Sequence, residues 1–383
     1  MRIAQISPLH ESVPPKLYGG TERVVHFLTE ALVDLGHEVT LFASGDSTTR
    51  AQLVPCVPTA LRLNRCADPV APHVAMMEQV FARADDFDVM HFHTDYLQYG
   101  LARRQDIPHV TTTHGRLDSP ELEPLFRMYP DVPLISISDA QREPHPRANW
   151  AGTVYHGLPT DLYDLYPARG RYLAFVGRIS PEKRVDRAVE IARRLGMPLK
   201  IAAKLDSKDR DYFEREIKHL FDDPLIDYVG EIGESEKNAF LGGAAALLFP
   251  IDWPEPFGLV MIEAMACGTP VVAFRCGSVP EVMRNGVSGY VVDTIDEAVS
   301  ATARAVELPR ARVRAYFDER FSAPRMAEDH VAIYEALIEG ARVRRGRGRT
   351  AFGLAAIDSE GGDRDAAHGM DGRGGGEAGA GMD

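Results

Sequence analysis

Short apolar runs alternate with stretches in which apolar residues recur every three or four positions, from the first residues to about position 340. The opening RIAQIS is a run of the first kind. TERVVHFLTEALVDLG is of the second, and it places Val24, Val25, Leu28, Ala31, Leu32 and Leu35 on one helical face. Gly36 supplies a C-terminal stop, and HEVTLFAS is the next strand. Strand, helix, strand is the unit of parallel sheets, because a parallel partner needs a crossover. Further strands are predicted at 88–93, 109–115, 133–138 and 152–157. After Pro167 the pattern restarts with a strand over 171–179 and an amphipathic helix over 183–196. PLKIAAK, IDYVGEI, AALLFP, TPVVAFR and GYVVD follow as strands, with helices between most of them. The halves are not a sequence repeat; they are two similar α/β units in series. A ligand is expected in a cleft between them, at strand C-terminal ends. The last periodic stretch, 324–340, carries an apolar stripe of Met326, Val331, Ile333, Tyr334 and Leu337.

Composition narrows the class. A chain of 383 residues suits two domains, and its 45% hydrophobic and 26% charged residues are those of a globular protein. The formal net charge of −13 gives no sign of a nucleic-acid partner, so an anionic ligand needs a local basic pocket. Cys56, Cys66, Cys267 and Cys276 form no C-x-x-C pair and read as reduced thiols of a cytoplasmic protein. The apolar start breaks at Pro8, so it reads as a strand and not as a leader. No apolar run approaches the roughly 20 residues that span a bilayer. The end differs in composition: residues 341–350 are arginine-rich and 360–383 are mostly Gly, Ala and Asp. The stretch 341–383 is therefore expected to be a disordered tail. Its arginines are a candidate for weak contact with an acidic membrane surface, beside the plainer reading of a solvated basic end.

Three segments carry chemistry. YGGTE, at 18–22, puts Gly20 at a helix start, where backbone N–H groups approach an anion or simply form a turn. FVGRISPEK ends a strand at Gly177 and then presents Arg178 and Lys183, two cations suited to a diphosphate. EPFGLVMIEAMACG spaces Glu255 and Glu263 eight positions apart among apolar residues. With a helix starting near Gly258, Glu255 lies in the loop and Glu263 on the helix. The N–H groups of Phe257, Gly258 and Leu259 then point toward an anion. Carboxylates on either side of it would accept from hydroxyls, the pattern of a ligand with a sugar, a diphosphate and a ribose. An unpaired carboxylate on so apolar a helix would be costly, which argues against a plain surface role for Glu263.

EPFGLVMIE matches the E-x7-E motif of retaining glycosyltransferases, and GRISPEK the G-R-x4-K element of glycosyltransferase family 4. YGGTE, THG, SISDAQR and CGSVPEVMRNGVSGYVV are also similar to that family, over roughly residues 1–340. The resemblance implies the GT-B fold, in which two Rossmann-like domains face each other across a cleft. They would span 1–165, on the acceptor side, and 166–323, on the donor side. A helix over 324–340 would cross back to the first domain. It also implies a UDP- or GDP-sugar as donor substrate, no cofactor and no metal. Arg178 and Lys183 would contact the diphosphate, Glu263 the ribose and Glu255 the donor sugar. Gly20 would lie near the phosphates or acceptor, and His114 would face the sugar. The acceptor, whether a small molecule, a glycan or a lipid-linked sugar, is left open. Many relatives have N-G where this chain has His156 and Gly157, so the acceptor side is expected to differ. The base pocket is expected near 228–232. The D-x-D string Asp86–Asp88 precedes a strand and reads as a turn, not as a metal site.

Two other classes compete. A nucleotide-sugar epimerase or hydrolase on the same fold would turn the donor over without an acceptor. A non-catalytic nucleotide-sugar-binding protein would not need the full set of Glu255, Glu263, Arg178, Lys183 and His114. A nicotinamide oxidoreductase is disfavoured because no G-x-G-x-x-G follows the first strand.

Overall fold

The computed structural model describes residues 1–16 and 19–355. The first lobe runs β1 (Arg2–Ile6), α1 (Gly20–Asp34), β2 (Glu38–Ser44), β3 (Gln52–Val57), α2 (Val70–Phe81), β4 (Val89–Phe92), α3 (Tyr99–Ala102), β5 (His109–Thr112), α4 (Leu122–Met128), β6 (Leu134–Ser136) and β7 (Trp150–Thr153). The second runs β8 (Tyr172–Arg178), α5 (Val185–Leu195), β9 (Leu199–Lys204), α6 (Arg210–Tyr212), β10 (Ile226–Gly230), α7 (Glu234–Gly242), β11 (Ala244–Phe249), α8 (Leu259–Ala266), β12 (Val271–Phe274), α9 (Val279–Val282) and β13 (Gly289–Val292). Helices α10 (Ile295–Ala305), α11 (Arg310–Arg320) and α12 (Ala323–Ala355) follow.

The first sheet has the strand order 3-2-1-4-5-6-7 and the second 10-9-8-11-12-13. Every strand pair in both is parallel. A parallel sheet covered on both faces needs strands that are apolar throughout, and β11 (AAALLF) and β12 (VVAF) are buried at every position. In each sheet the order reverses beside the first strand, between β1 and β4 and between β8 and β11. Such a switch point leaves a crevice at the strand C-terminal ends. These are two Rossmann-like lobes of the GT-B type, as expected.

The chain crosses between lobes twice, and the two crossings are tied together. Leu158 N–H donates to Phe321 at 2.9 Å, and Ala323 N–H donates to Leu158 at 2.8 Å. Helix α12 then lies on the first lobe. Gly152 on β7 leaves room for Ile333 Cδ1, which is 2.9 Å from where a Cβ would stand. Tyr334 is fully buried and receives a hydrogen bond from Gln5 Nε2 at 3.1 Å.

Three local expectations are corrected. β3 and α2 are present where no element was predicted. The helix expected over 183–196 begins at Val185, because Pro181–Lys183 forms a 3-10 turn and Arg184 adopts φ +53°. Helix α12 is helical through Ala355, so 341–355 is not the disordered segment expected. Extending an existing helix avoids the cost of nucleation, and the arginines and alanines of this stretch are good helix formers, although Gly346, Gly348 and Gly353 are not. The rest of the expected tail, 356–383, lies outside the described residues, as does the YGGTE tyrosine, Tyr18.

Candidate active site in the interlobe cleft

The second lobe builds its wall from the ends of β8 and β11. Arg178 is the last residue of β8, and its guanidinium donates to Glu182 Oε1 at 2.8 Å and to Asp206 Oδ2 at 3.3 Å. Lys183, in the 3-10 turn, donates to Glu255 Oε2. Its ammonium also stands 4.6 Å from the Trp253 ring centroid, and Trp253 Nε1 donates to the same carboxylate oxygen at 3.1 Å. The sequence spacing shows two cations; the fold adds the carboxylates that hold them. Pairing does not exhaust Glu255, because a carboxylate accepts at about four positions.

Helix α8 starts beside this cluster. Gly258 caps it at φ +81°, a conformation that favours glycine, and lets the chain turn sharply from loop to helix. The first N–H groups of a helix have no partner within it, and those of Leu259 and Val260 belong to residues lining the cleft. The loop before it is held from behind. Ser278 donates its N–H to Glu255 at 3.0 Å and its hydroxyl to the Phe257 carbonyl at 2.9 Å. Gly277, at φ +54°, permits this: a Cβ there would stand 2.4 Å from the Glu255 carbonyl oxygen. The Phe257 side chain is buried, 4.8 Å from the His156 ring, so only its backbone is available to a ligand.

Glu263, in the second turn of α8, accepts from Lys237 Nζ at 2.8 Å, and its side chain is only 4% exposed. Lys237 is also 3.5 Å from Glu234, which pairs with Arg23 of α1 and accepts from the Tyr163 hydroxyl. The chain Glu263–Lys237–Glu234–Arg23 therefore crosses from the second lobe to the first. Burial, and then the nearby carboxylates, push the Tyr163 phenol far above its ordinary range.

The first lobe supplies the facing wall. Gly20 opens α1 with Leu259 Cδ1 of the second lobe 3.7 Å from where its Cβ would be. His114 follows β5, and its Nε2 is 2.8 Å from His93 Nδ1. Its ring stacks on His156, with centroids 5.4 Å apart and an interplanar angle of 16°. Burial holds the His114 imidazole at a pKa of about 3, with the nearby His330 adding to the shift, so it is neutral at pH 7.

Gly20, His114, Arg178, Lys183, Glu255, Phe257, Gly258, Leu259 and Glu263 all line one cavity of about 920 Å³. Glu231 and Ile232, from the segment expected near the base, line it too. Sequence reasoning did not single out Arg23, His93, Glu234, Lys237 or Trp253. Arg23 and Lys237 look like ordinary solvated charges in their helices, and only the folded lobes bring them to the cleft. The D-x-D string is structural: Asp88 accepts from Arg2 N–H at 2.8 Å, and Asp86 from Arg83 at 3.0 Å. Among the described residues no group of three or more His, Cys, Asp or Glu is arranged to hold a metal ion. Among them, too, no helix is long and apolar enough to cross a membrane.

Comparison with known proteins gives the geometry its family. Residues 18–143 match the model of Glycosyltransferase Family 4, and 166–319 that of Glycosyl transferases group 1. The chain is 26% identical to a phosphatidyl-myo-inositol mannosyltransferase of Mycolicibacterium smegmatis, over 90% of this chain and 93% of that protein. It is 28% identical to a glycogen synthase of Mycobacterium tuberculosis, over 85% and 88% respectively. Among solved structures, a sucrose-phosphate synthase from Thermosynechococcus elongatus superposes with a TM-score of 0.72 at 18% identity, over 89% of this chain and all of that one. A glycosyltransferase involved in avilamycin A biosynthesis gives 0.70 at 24% identity, over 89% and 98%. Two matched family models, one for each lobe, and full-length relatives lead to one conclusion: this chain is a glycosyltransferase of family 4 with the GT-B fold.

Proposed function

We propose that the protein transfers a hexose, with retention of anomeric configuration, from a UDP- or GDP-sugar to a hydroxyl group of an acceptor, and that it does so without a metal ion. The observation that carries this reading is the convergence, in one cleft, of Arg178, Lys183 and the α8 N-terminus between two carboxylates, Glu255 and Glu263. Departure of a nucleoside diphosphate concentrates negative charge. Two fixed cations and preorganised N–H dipoles stabilise such charge without reorganising, which often dominates catalysis. An incoming diphosphate would compete with Glu182, Asp206 and Glu255 for Arg178 and Lys183. Glu263 lies deeper, where it would accept from ribose hydroxyls. Glu255, at the loop, would accept from the sugar. His114 and Gly20 approach from the other lobe, so a bound donor would be touched by both. In this reading the catalytic residues are His114, Arg178, Lys183 and Glu255.

Transfer breaks the bond from the anomeric carbon to the diphosphate oxygen and forms one to the acceptor oxygen. No enzymic nucleophile is assigned. One structure with the same fold is in complex with UDP-glucose, which makes that sugar nucleotide the first probe. Relatives named for an inositol lipid and for glycogen show that the family's acceptors vary, so the acceptor is left as a hydroxyl-bearing molecule.

The test is a thermal-shift panel of UDP- and GDP-sugars, run with and without EDTA. A ligand at 100 times its Kd stabilises by about 2.7 kcal/mol. At least one sugar nucleotide is expected to raise the melting temperature equally with EDTA present. The panel contradicts the reading when none does so, and its metal-free part when the shift requires manganese or magnesium.

A further inference from the structure

Behind His114 lies a line of buried neutral groups that the reaction does not directly need. His114 Nε2 is 2.8 Å from His93 Nδ1, and His93 Nε2 is 2.8 Å from Gln5 Oε1. Gln5 Nε2 donates to the Tyr334 hydroxyl at 3.1 Å. That hydroxyl is 2.7 Å from His91 Nδ1, and His91 Nε2 is 2.7 Å from Thr112 Oγ1. His91, His93, Gln5 and Tyr334 are all at most 2% exposed.

The direction of each bond follows from what each atom can do. The Gln5 amide oxygen only accepts, so His93 carries its proton on Nε2. A neutral imidazole then has a lone pair at Nδ1, so His114 must donate from its own Nε2. The Tyr334 oxygen accepts from the Gln5 amide and gives its proton to His91 Nδ1, which leaves His91 to donate from Nε2 to Thr112. The six groups thus form one head-to-tail chain in which each donates to the next. At its head, His114 Nδ1 is buried and has no hydrogen-bond partner among the described residues. His114 lines the cleft, so this bare nitrogen belongs to a cleft-lining residue.

We infer that His93 and Gln5 are positioning residues that fix His114 in its Nε2–H tautomer, so that its other nitrogen, Nδ1, keeps a lone pair and acts toward the cleft as an acceptor and never as a donor. Tyr334 on α12 continues the line, its hydroxyl accepting from the Gln5 amide and donating onward to His91. The role given to the lone pair rests on reading the cleft as the donor site. The tautomer itself does not. The opposite tautomer would present an N–H and would reverse every bond in the chain. Protonation does not blur the choice at neutral pH, since burial lowers all three histidines of the chain well below the ordinary imidazole range.

The experiment is long-range proton–nitrogen NMR of the full-length protein labelled at histidine. His114 signals are assigned by their loss in His114→Asn. In the wild type His114 should show a protonated Nε2 and a bare Nδ1; a protonated Nδ1 overturns the inference. Gln5→Met keeps the volume and removes the acceptor. It should shift His114 toward the other tautomer or a mixture, and lower kcat for UDP release from UDP-glucose about tenfold, the size of one hydrogen bond, with KM little changed. Unchanged His114 signals in a folded Gln5→Met protein also overturn it. Should that variant not fold, the wild-type spectrum alone decides. The spectrum is read without substrate, so a wrong donor assignment would show in the kinetics and leave the tautomer result intact.

Discussion

Glu263 was conspicuous as a carboxylate on an otherwise apolar helix, and the structure explains how such a group is tolerated. It is almost fully buried, and Lys237 donates to it at 2.8 Å. Losing one partner of a buried pair costs more than the pair itself contributes, because the other charge is left unsolvated. Here Lys237 keeps Glu234 at 3.5 Å, so Glu263→Ala should fold. It should bind the nucleotide sugar that stabilises the wild type ten- to a hundredfold more weakly, since hydrogen bonds to a charged group contribute about 1.5–3 kcal/mol. Calorimetry on the folded variant checks this, and unchanged affinity removes Glu263 from the donor site. Glu255 and Glu263 were legible because carboxylates amid leucine, methionine and isoleucine conflict with their surroundings. Lys237 and Glu234 were not, because in ESEKNAF they conflict with nothing.

At the scale of elements, legibility followed the strength of the local pattern. The units β1–α1–β2 and β8–α5–β9 have strong periods and were predicted. β3 is an edge strand, half exposed and carrying Pro55, where a missing N–H is harmless but the strand signal is weak. Helix α2 carries Pro72 in its first turn, a position that tolerates proline although the residue reads as a breaker. Nothing local marked Arg310, at the start of α11. It is buried, and its guanidinium donates to the carbonyls of Ala244 at 2.8 Å, Gly242 at 2.8 Å and Cys267 at 3.3 Å, and to Thr269 Oγ1 at 2.5 Å. It thereby ties together the end of α7, the start of β11 and the end of α8, the two helices that carry Lys237 and Glu263. Arg310→Met leaves several buried acceptors without donors, and each costs about 1–3 kcal/mol. A loss of at least ~3 kcal/mol in urea unfolding is expected. Arg310→Lys should recover little, because an ammonium cannot reproduce a planar fork of donors. Full recovery by lysine would show that charge alone matters there.

Over the whole molecule, the cleft is backed by five histidines contributed by separate parts of the chain: His91 from β4, His93 just after it, His114 after β5, His156 in the crossing segment and His330 on α12; four are buried and His114 is half-buried. Each is held below the ordinary imidazole range, mainly by burial, with the other histidines of the group adding to the effect at all but His330. At His330 a backbone hydrogen bond to Met326 and the charge of Asp329 oppose the shift, and its pKa is about 4. A neutral histidine in the fold binds no proton in the range where the unfolded chain does. Stability is therefore complete above about pH 6.5 and is lost as pH falls below it. For each group the loss stops only near its folded value, about 4 for His330 and about 3 for His114. The slope is about 1.4 kcal/mol per histidine per pH unit. Even one such group a pH unit below its unfolded pKa removes about 1.4 kcal/mol, a sizeable part of the whole stability of many proteins. Carboxylates offset this only in part. Glu22 and Asp95 have raised values and favour the fold as they take up protons, while Glu30, Asp46 and Asp88 have lowered values and lose stability only nearer pH 4. The melting temperature should thus fall steeply between pH 7 and 5. His330→Leu, at a site whose Nε2 has no partner among the described residues, should make that fall shallower by about one proton's worth. A melting temperature that stays flat from pH 7 to 5.5 would mean that the histidines behind the cleft are hydrated or already charged, and the neutral hydrogen-bonded chain through His93 would then have no basis.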